Sequence, residues 1–178
     1  GNNYTISGLY INLDGGEYCF GAPFALTNGS LIQDIRLAGQ VVSTNNCMFS
    51  VTAGLVAYDM STNSSVTSIN NVHIAGASLQ GSGETFTMSG GLIGITSLSG
   101  TASDNQNNFE GSINLRGSMS QQVSVGGLYG VMEGGTRSVN NSYANADIQI
   151  NNTYSGESAF SIAGGLVGGI GLIEQDPT

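Results

Sequence analysis

The chain contains no lysine and no tryptophan, only two prolines and one histidine, and just 8% of its 178 residues are charged. Each shortage excludes something. Three arginines stand against twelve acidic residues, for a net charge of −9. No basic patch is available to replace the counterions of a phosphate backbone, so nucleic acid is not an expected partner. The same lack of cations argues against adsorption to anionic lipid. No apolar run approaches the ~20 residues of a membrane-spanning helix, so membrane insertion is not expected either. With one histidine and two cysteines, most zinc sites and Ser-His-Asp triads lack parts. Helical folds are excluded because Gly, Ser, Asn and Thr dominate, and all are poor helix formers. Yet 39% of residues are hydrophobic and mean hydropathy is +0.06, unlike the polar, charged profile of a disordered chain. The length suits one domain, residues 1–178, with a sizeable core.

What the chain has in excess is glycine, 28 residues of it, and the glycines are periodic. Ala53-Gly54-Leu55-Val56-Ala57, Gly90-Gly91-Leu92-Ile93-Gly94, Gly126-Gly127-Leu128-Tyr129-Gly130 and Gly164-Gly165-Leu166-Val167-Gly168 are four copies of one motif. Tyr18-Cys19-Phe20-Gly21 reads as a worn first copy. The final column, Gly21, Ala57, Gly94, Gly130 and Gly168, advances by 36, 37, 36 and 38 residues. A second block lies between these. Ile32–Gly39 matches Ile69–Gly76 position for position, with looser copies at Asn105–Phe109 and Val139–Ala144. It yields a polar column, Asp34, Asn71, Asn107 and Asn141, and, two places on, a mixed column, Arg36, His73, Phe109 and Tyr143.

Short alternating runs such as Asp147-Ile148-Gln149-Ile150 have strand spacing, and Ser/Thr/Asn/Gly stretches between them read as turns. The expected fold is therefore all-β: a parallel β-solenoid of about five coils, one repeat of 36–38 residues per coil. Right-handedness is expected from the general rule for parallel crossovers. Leu55, Leu92, Leu128 and Leu166 should stack inside. The motif glycines should permit a left-handed or bulged corner and close approach of adjacent backbones. The two open ends are edges that need covering.

These residues resemble the GLUG-motif family, named for Gly-Leu-hydrophobic-Gly. The opening Gly1–Asn12 resembles the segment that leads into such arrays, and Asn141-Ser142-Tyr143-Ala144 resembles the family's second block. The departures are Cys19 in place of Leu in the first copy and Ala57 at the end of the second. The resemblance implies a non-catalytic structural and adhesive segment of a larger bacterial protein, secreted or displayed at the cell surface. Its implied partners are glycans, proteins of a host or neighbouring cell, and further repeats of the same chain.

Chemistry is sparse. Asp34, Arg36 and His73 are the nearest approach to an acid/base cluster, and support the alternative of a carbohydrate-active β-helix hydrolase or lyase. The column Arg36, His73, Phe109 and Tyr143 could bind glycans if exposed, whereas Phe109 and Tyr143 turned inward would be core. The column Asp34, Asn71, Asn107 and Asn141 is expected to be a structural ladder of side-chain hydrogen bonds between coils. No cofactor or metal is expected: neither an EF-hand loop nor the calcium-binding nonapeptide occurs. Asp14-Gly15-Gly16-Glu17 reads as a hairpin-type turn. Cys19 and Cys47 fall in different columns, which leaves open a disulfide or two buried thiols. Sequons at Asn3, Asn28, Asn63, Asn140 and Asn151 follow from composition alone.

Overall fold

Short apolar–polar alternations punctuated by Gly and Asn favour strands that bend at fixed intervals. The computed structural model describes residues 4–61, 65–117, 122–153, 155–156 and 159–171. The sequons at Asn3 and Asn63 and the first three residues of the lead-in lie outside these. The first strands are β1 (Thr5–Ser7), β2 (Tyr10–Gly21), β3 (Phe24–Thr27), β4 (Leu31–Ala38) and β5 (Val41–Ala53). Next come β6 (Val56–Ser61), β7 (Ser68–Gly90), β8 (Ile93–Asn105), β9 (Asn108–Gly117) and β10 (Gln122–Gly126). The chain continues through β11 (Tyr129–Asn140), β12 (Tyr143–Asn152), β13 (Phe160–Gly164) and β14 (Val167–Ile170). Pairing is parallel, each strand bonded to its equivalent one coil away.

This is a β-solenoid of about four turns, not five. The difference arises at the worn first copy. Gly21 pairs with Thr52, and Phe24 pairs with Val56. The first corner is therefore Ala22–Ala25, not Tyr18–Gly21, and Pro23 rather than Cys19 stands nearest the leucine column. That first coil is shorter than its successors. Asp14–Glu17 is likewise not a hairpin: the flanking segments of β2 both pair parallel with β5, and Gly15 and Gly16 (φ +76° and +124°) make a corner between faces.

The interior is built from inward columns. Leu55, Leu92 and Leu128 have no exposed surface, and neither do Ile69, Ile93 or Ile113. Burying side chains of this size stabilises by about 1.5–3 kcal/mol each. Gln40 crosses the interior to donate from Nε2 to the Gly54 carbonyl at 2.8 Å, bracing the corner from inside. A smaller cluster, Ala22, Val51, Ala53 and Ala57, packs with Phe20 and Ile95 around the Gly-Leu corner.

The motif glycines act by lacking a side chain. None of Gly54, Gly91, Gly94, Gly127, Gly130, Gly165 and Gly168 has positive φ, so the expected left-handed corner is not there. A Cβ on Gly91 would collide with the Gly127 carbonyl oxygen of the next coil and with the Phe109 ring. Backbones meet at this corner with no room between them. Left-handed backbone occurs elsewhere in the coil, at Asp34, Asn71, Gln106 and Asn141, with φ of 50° to 57°. Asx side chains tolerate that conformation better than most.

Candidate functional site

The mixed column is the first place to look. Register aligns Arg36 with His73, His73 with Asn108, and Asn108 with Tyr143. Phe109 is not in it. It pairs with Ile74 and Ala144, is fully buried, and belongs to the core. Arg36 and Tyr143 are exposed and His73 is half-buried. A hollow of about 310 Å³ lies over this column, lined by Asn71, His73, Asn108, Asn141 and Tyr143 among others. Its polar groups are largely engaged with one another. Asn108 Nδ2 bonds Tyr143 Oη at 2.6 Å, Tyr143 Oη reaches Glu110 at 3.2 Å, and His73 Nε2 meets Asn71 Oδ1 at 3.0 Å.

The polar column is placed differently along its length. Asn71 Nδ2 donates to Asp34 Oδ1 at 2.7 Å, and Asn141 Nδ2 to Asn105 Oδ1 at 3.0 Å. Asn107, however, is buried, one place beyond the column, where the preceding coils carry Ile35 and Val72. The ladder position in that coil is held by Gln106, which has the left-handed φ. Asn107 bridges coils from inside: Oδ1 accepts from Val72 N at 3.0 Å and Nδ2 donates to the Ile69 carbonyl at 2.7 Å. It thus satisfies backbone groups that would otherwise be buried unpaired.

A buried ionic cluster was not anticipated from the sequence. Arg137 reaches inward between Asp59 and Asp104, 2.5 Å from each, and the side chains of all three are fully buried. Asp59 Oδ1 also accepts from Thr27 and Ser61, Asp104 Oδ1 from Ile69 N, and Asp104 Oδ2 from the Tyr129 hydroxyl at 2.7 Å. Burial, and then the Asp104 carboxylate, push the Tyr129 phenol well above its ordinary pKa of 10.0. The Arg137 guanidinium carbon lies 5.8 Å from the Tyr129 ring centre, within cation–π range. One signal could have revealed the cluster. Aligned through Asn70 and Asn105, Asp104 takes the core position of Ile32 and Ile69, and a buried acid there requires a cation.

Two surface features remain. Tyr18, Phe49 and Phe86 stack at 5.0 Å steps, nearly parallel, beside a groove of about 280 Å³. Stacking uses the inner ring faces, so the column presents edges to the groove and contributes about 0.5–1.5 kcal/mol per pair. On the next face of the coil, a polar trough of about 480 Å³ runs past Asn45, Gln80, Asn114, Arg116, Gln149 and Asn151.

Cys19 and Cys47 form a disulfide with their Cα atoms 6.0 Å apart. They do lie in different columns, since Cys19 pairs with Ser50 and Cys47 with Gly16. The corner at Gly15 and Gly16 brings them within reach all the same. Among the described residues no three His, Cys, Asp or Glu side chains converge as a metal site would require. A comparison with known proteins found no matching family model, no matching curated protein and no matching solved structure.

Proposed function

We propose that this chain is a non-catalytic, extracellular or cell-surface adhesive repeat module of a larger GLUG-type bacterial protein, whose lateral faces contact glycans or the surface of a neighbouring or host cell. The observation that carries this reading is the register of the coils. It sets uncharged, hydrogen-bonding side chains in straight outward columns, such as Gln80, Asn114 and Gln149. Amides so arranged offer donors and acceptors along a line, which suits an extended, hydroxyl-rich ligand.

Further support comes from three places. The Cys19–Cys47 disulfide suits an oxidising compartment. Of the three candidate acid/base residues, Asp34 accepts from Asn71 and His73 is bonded to the same Asn71, so two of them have structural engagements. Leu166 is 48% exposed while Leu55, Leu92 and Leu128 are fully covered, which leaves an apolar edge open to a partner surface. The test is a glycan array and a cell-attachment assay, run beside a polysaccharide hydrolysis and elimination assay. Attachment or glycan binding without turnover is expected. Turnover lost in Asp34→Ala or His73→Ala would overturn the proposal in favour of an enzyme.

A further inference from the structure

The polar trough differs from the rest of this acidic surface. Its walls come from four successive coils: Asn45 on β5, Gln80 on β7, Asn114 and Arg116 on β9, and Gln149 and Asn151 on β12. No carboxylate is among its described lining residues, in a chain with twelve acids. Arg116 is exposed and, unlike Arg137, has no carboxylate partner among the described residues. Asn151 pairs with it across the coil boundary, at a strand spacing of about 4.8 Å. Asn114 precedes it on the same face of β9, about 6.6 Å along the strand. Whereas Gln149 and Asn45 are tied to Asp147 and Ser43, Asn114 and Asn151 are left with their hydrogen-bonding capacity free among the described residues. One guanidinium and two free amides thus converge on one opening.

We propose that this trough binds the carboxylate of a single acidic sugar carried on an otherwise neutral glycan; this rests on the glycan-contact reading above and names its ligand class. The guanidinium takes the carboxylate through two parallel N–H···O bonds. Asn114 and Asn151 donate to and accept from the hydroxyls beside it. The overall charge selects against a polyanion. A net −9 repels each added carboxylate, and among the described lining residues one cation, Arg116, is there to meet one. The described lining is mostly polar, with Leu115 buried beneath it and Ile150 half-buried, so it offers little to anchor peptide side chains, which separates this ligand from an acidic peptide.

The test compares a sialylated or glucuronylated oligosaccharide with its neutral parent by titration calorimetry on the intact chain. Polygalacturonate and polyglutamate serve as charged controls. The acidic oligosaccharide should bind about tenfold more tightly than its parent, the gain of one charged hydrogen-bonded pair. Arg116→Gln should erase that preference, read as the ratio of the two affinities falling to about one. Arg116→Lys should restore only part of it. An unchanged thermal melt shows that the variants are folded. The inference is overturned if Arg116→Gln keeps the preference, if the parent binds equally well, or if polyglutamate binds as tightly as the acidic oligosaccharide. Binding of neutral glycans alone sinks this inference and leaves the adhesive module standing. No binding to any glycan removes glycan contact from both.

Discussion

The two recurrent corners of the coil make the same kind of bend by opposite means. At the Gly-Leu corner the backbone keeps ordinary φ values, and adjacent coils approach so closely that any side chain on Gly91 would strike the Gly127 carbonyl. At the polar corner the backbone is left-handed, and Asp34 and Asn71 lock it with a side-chain bond between coils. One region is held by backbone contact and needs an absence. The other is held by side chains and needs particular atoms. The Arg137 cluster belongs to the second kind, since three buried charges and a phenol tie coils together through specific oxygens. The difference teaches where substitutions should be felt: anything added harms the first region, and anything removed harms the second.

The severest break should come from Arg137→Met. It strands Asp59 and Asp104 in the interior, and breaking such a buried arrangement costs about 3–5 kcal/mol. Urea unfolding measures this, and a loss under about 1 kcal/mol would mean the acids find other partners. Gly91→Ala should follow at about 3 kcal/mol, because the clash is with backbone that cannot yield. Gly165→Ala sharpens the point. It is the same motif position, but in the last described coil a Cβ there meets nothing within 4 Å among the described residues, so the change should lie within about 0.5 kcal/mol of neutral. Equal losses at the two glycines would show that the motif acts through φ and not through room.

The polar corner predicts a smaller and differently ordered pair. Asn71→Ala forces an ordinary side chain into left-handed backbone and should cost about 1–2 kcal/mol. Asn71→Gly removes the same hydrogen bond but accepts the φ, and should cost less. The reverse ranking would mean that the bond to Asp34, not the backbone, governs the corner.

Least in size is a pH effect at Tyr129. Its pKa is raised in the folded chain, so the native state holds that proton more tightly than the unfolded state does. The resulting stability is complete below pH 10 and is lost as pH rises from there towards the folded-state value. Tyr129→Phe has no such proton and should flatten the alkaline decline in a pH series of melts. An unchanged decline would assign it to other tyrosines.

Much of this was legible in sequence because stacking repeats like on like. Ile32–Gly39 and Ile69–Gly76 match position for position, and the structure pairs them in that register. The Leu55, Leu92 and Leu128 column was equally plain. Reading slipped where one coil offers several equivalent residues. Asn105-Gln106-Asn107-Asn108 is a run of amides whose register only Phe109 can anchor, as the partner of Ile74. Matching Asn107 to Asn71 shifted the coil by one place, and so put Phe109 outside and Asn108 out of view. Pro23 hid the first corner in a similar way, by standing where a Gly-Leu pair was sought. The Arg116 trough was illegible for another reason. Its residues alternate like any exposed strand face, and only the stacking of four coils shows which amides are left free beside the Arg116 guanidinium.

The disulfide has a mechanical consequence. A pull on the N-terminal end would peel the first coil strand by strand, but only as far as Cys19. From there the load passes through the covalent bond to Cys47, and the chain between them, with the whole of β3 and β4, is bypassed by the force. The module would lengthen by the slack ahead of residue 19, and the load would next bear on β5 beyond Cys47, with residues 20–46 adding no length. At the opposite end, among the described residues, no such shortcut exists, so the two directions of pull should release unequal lengths of chain.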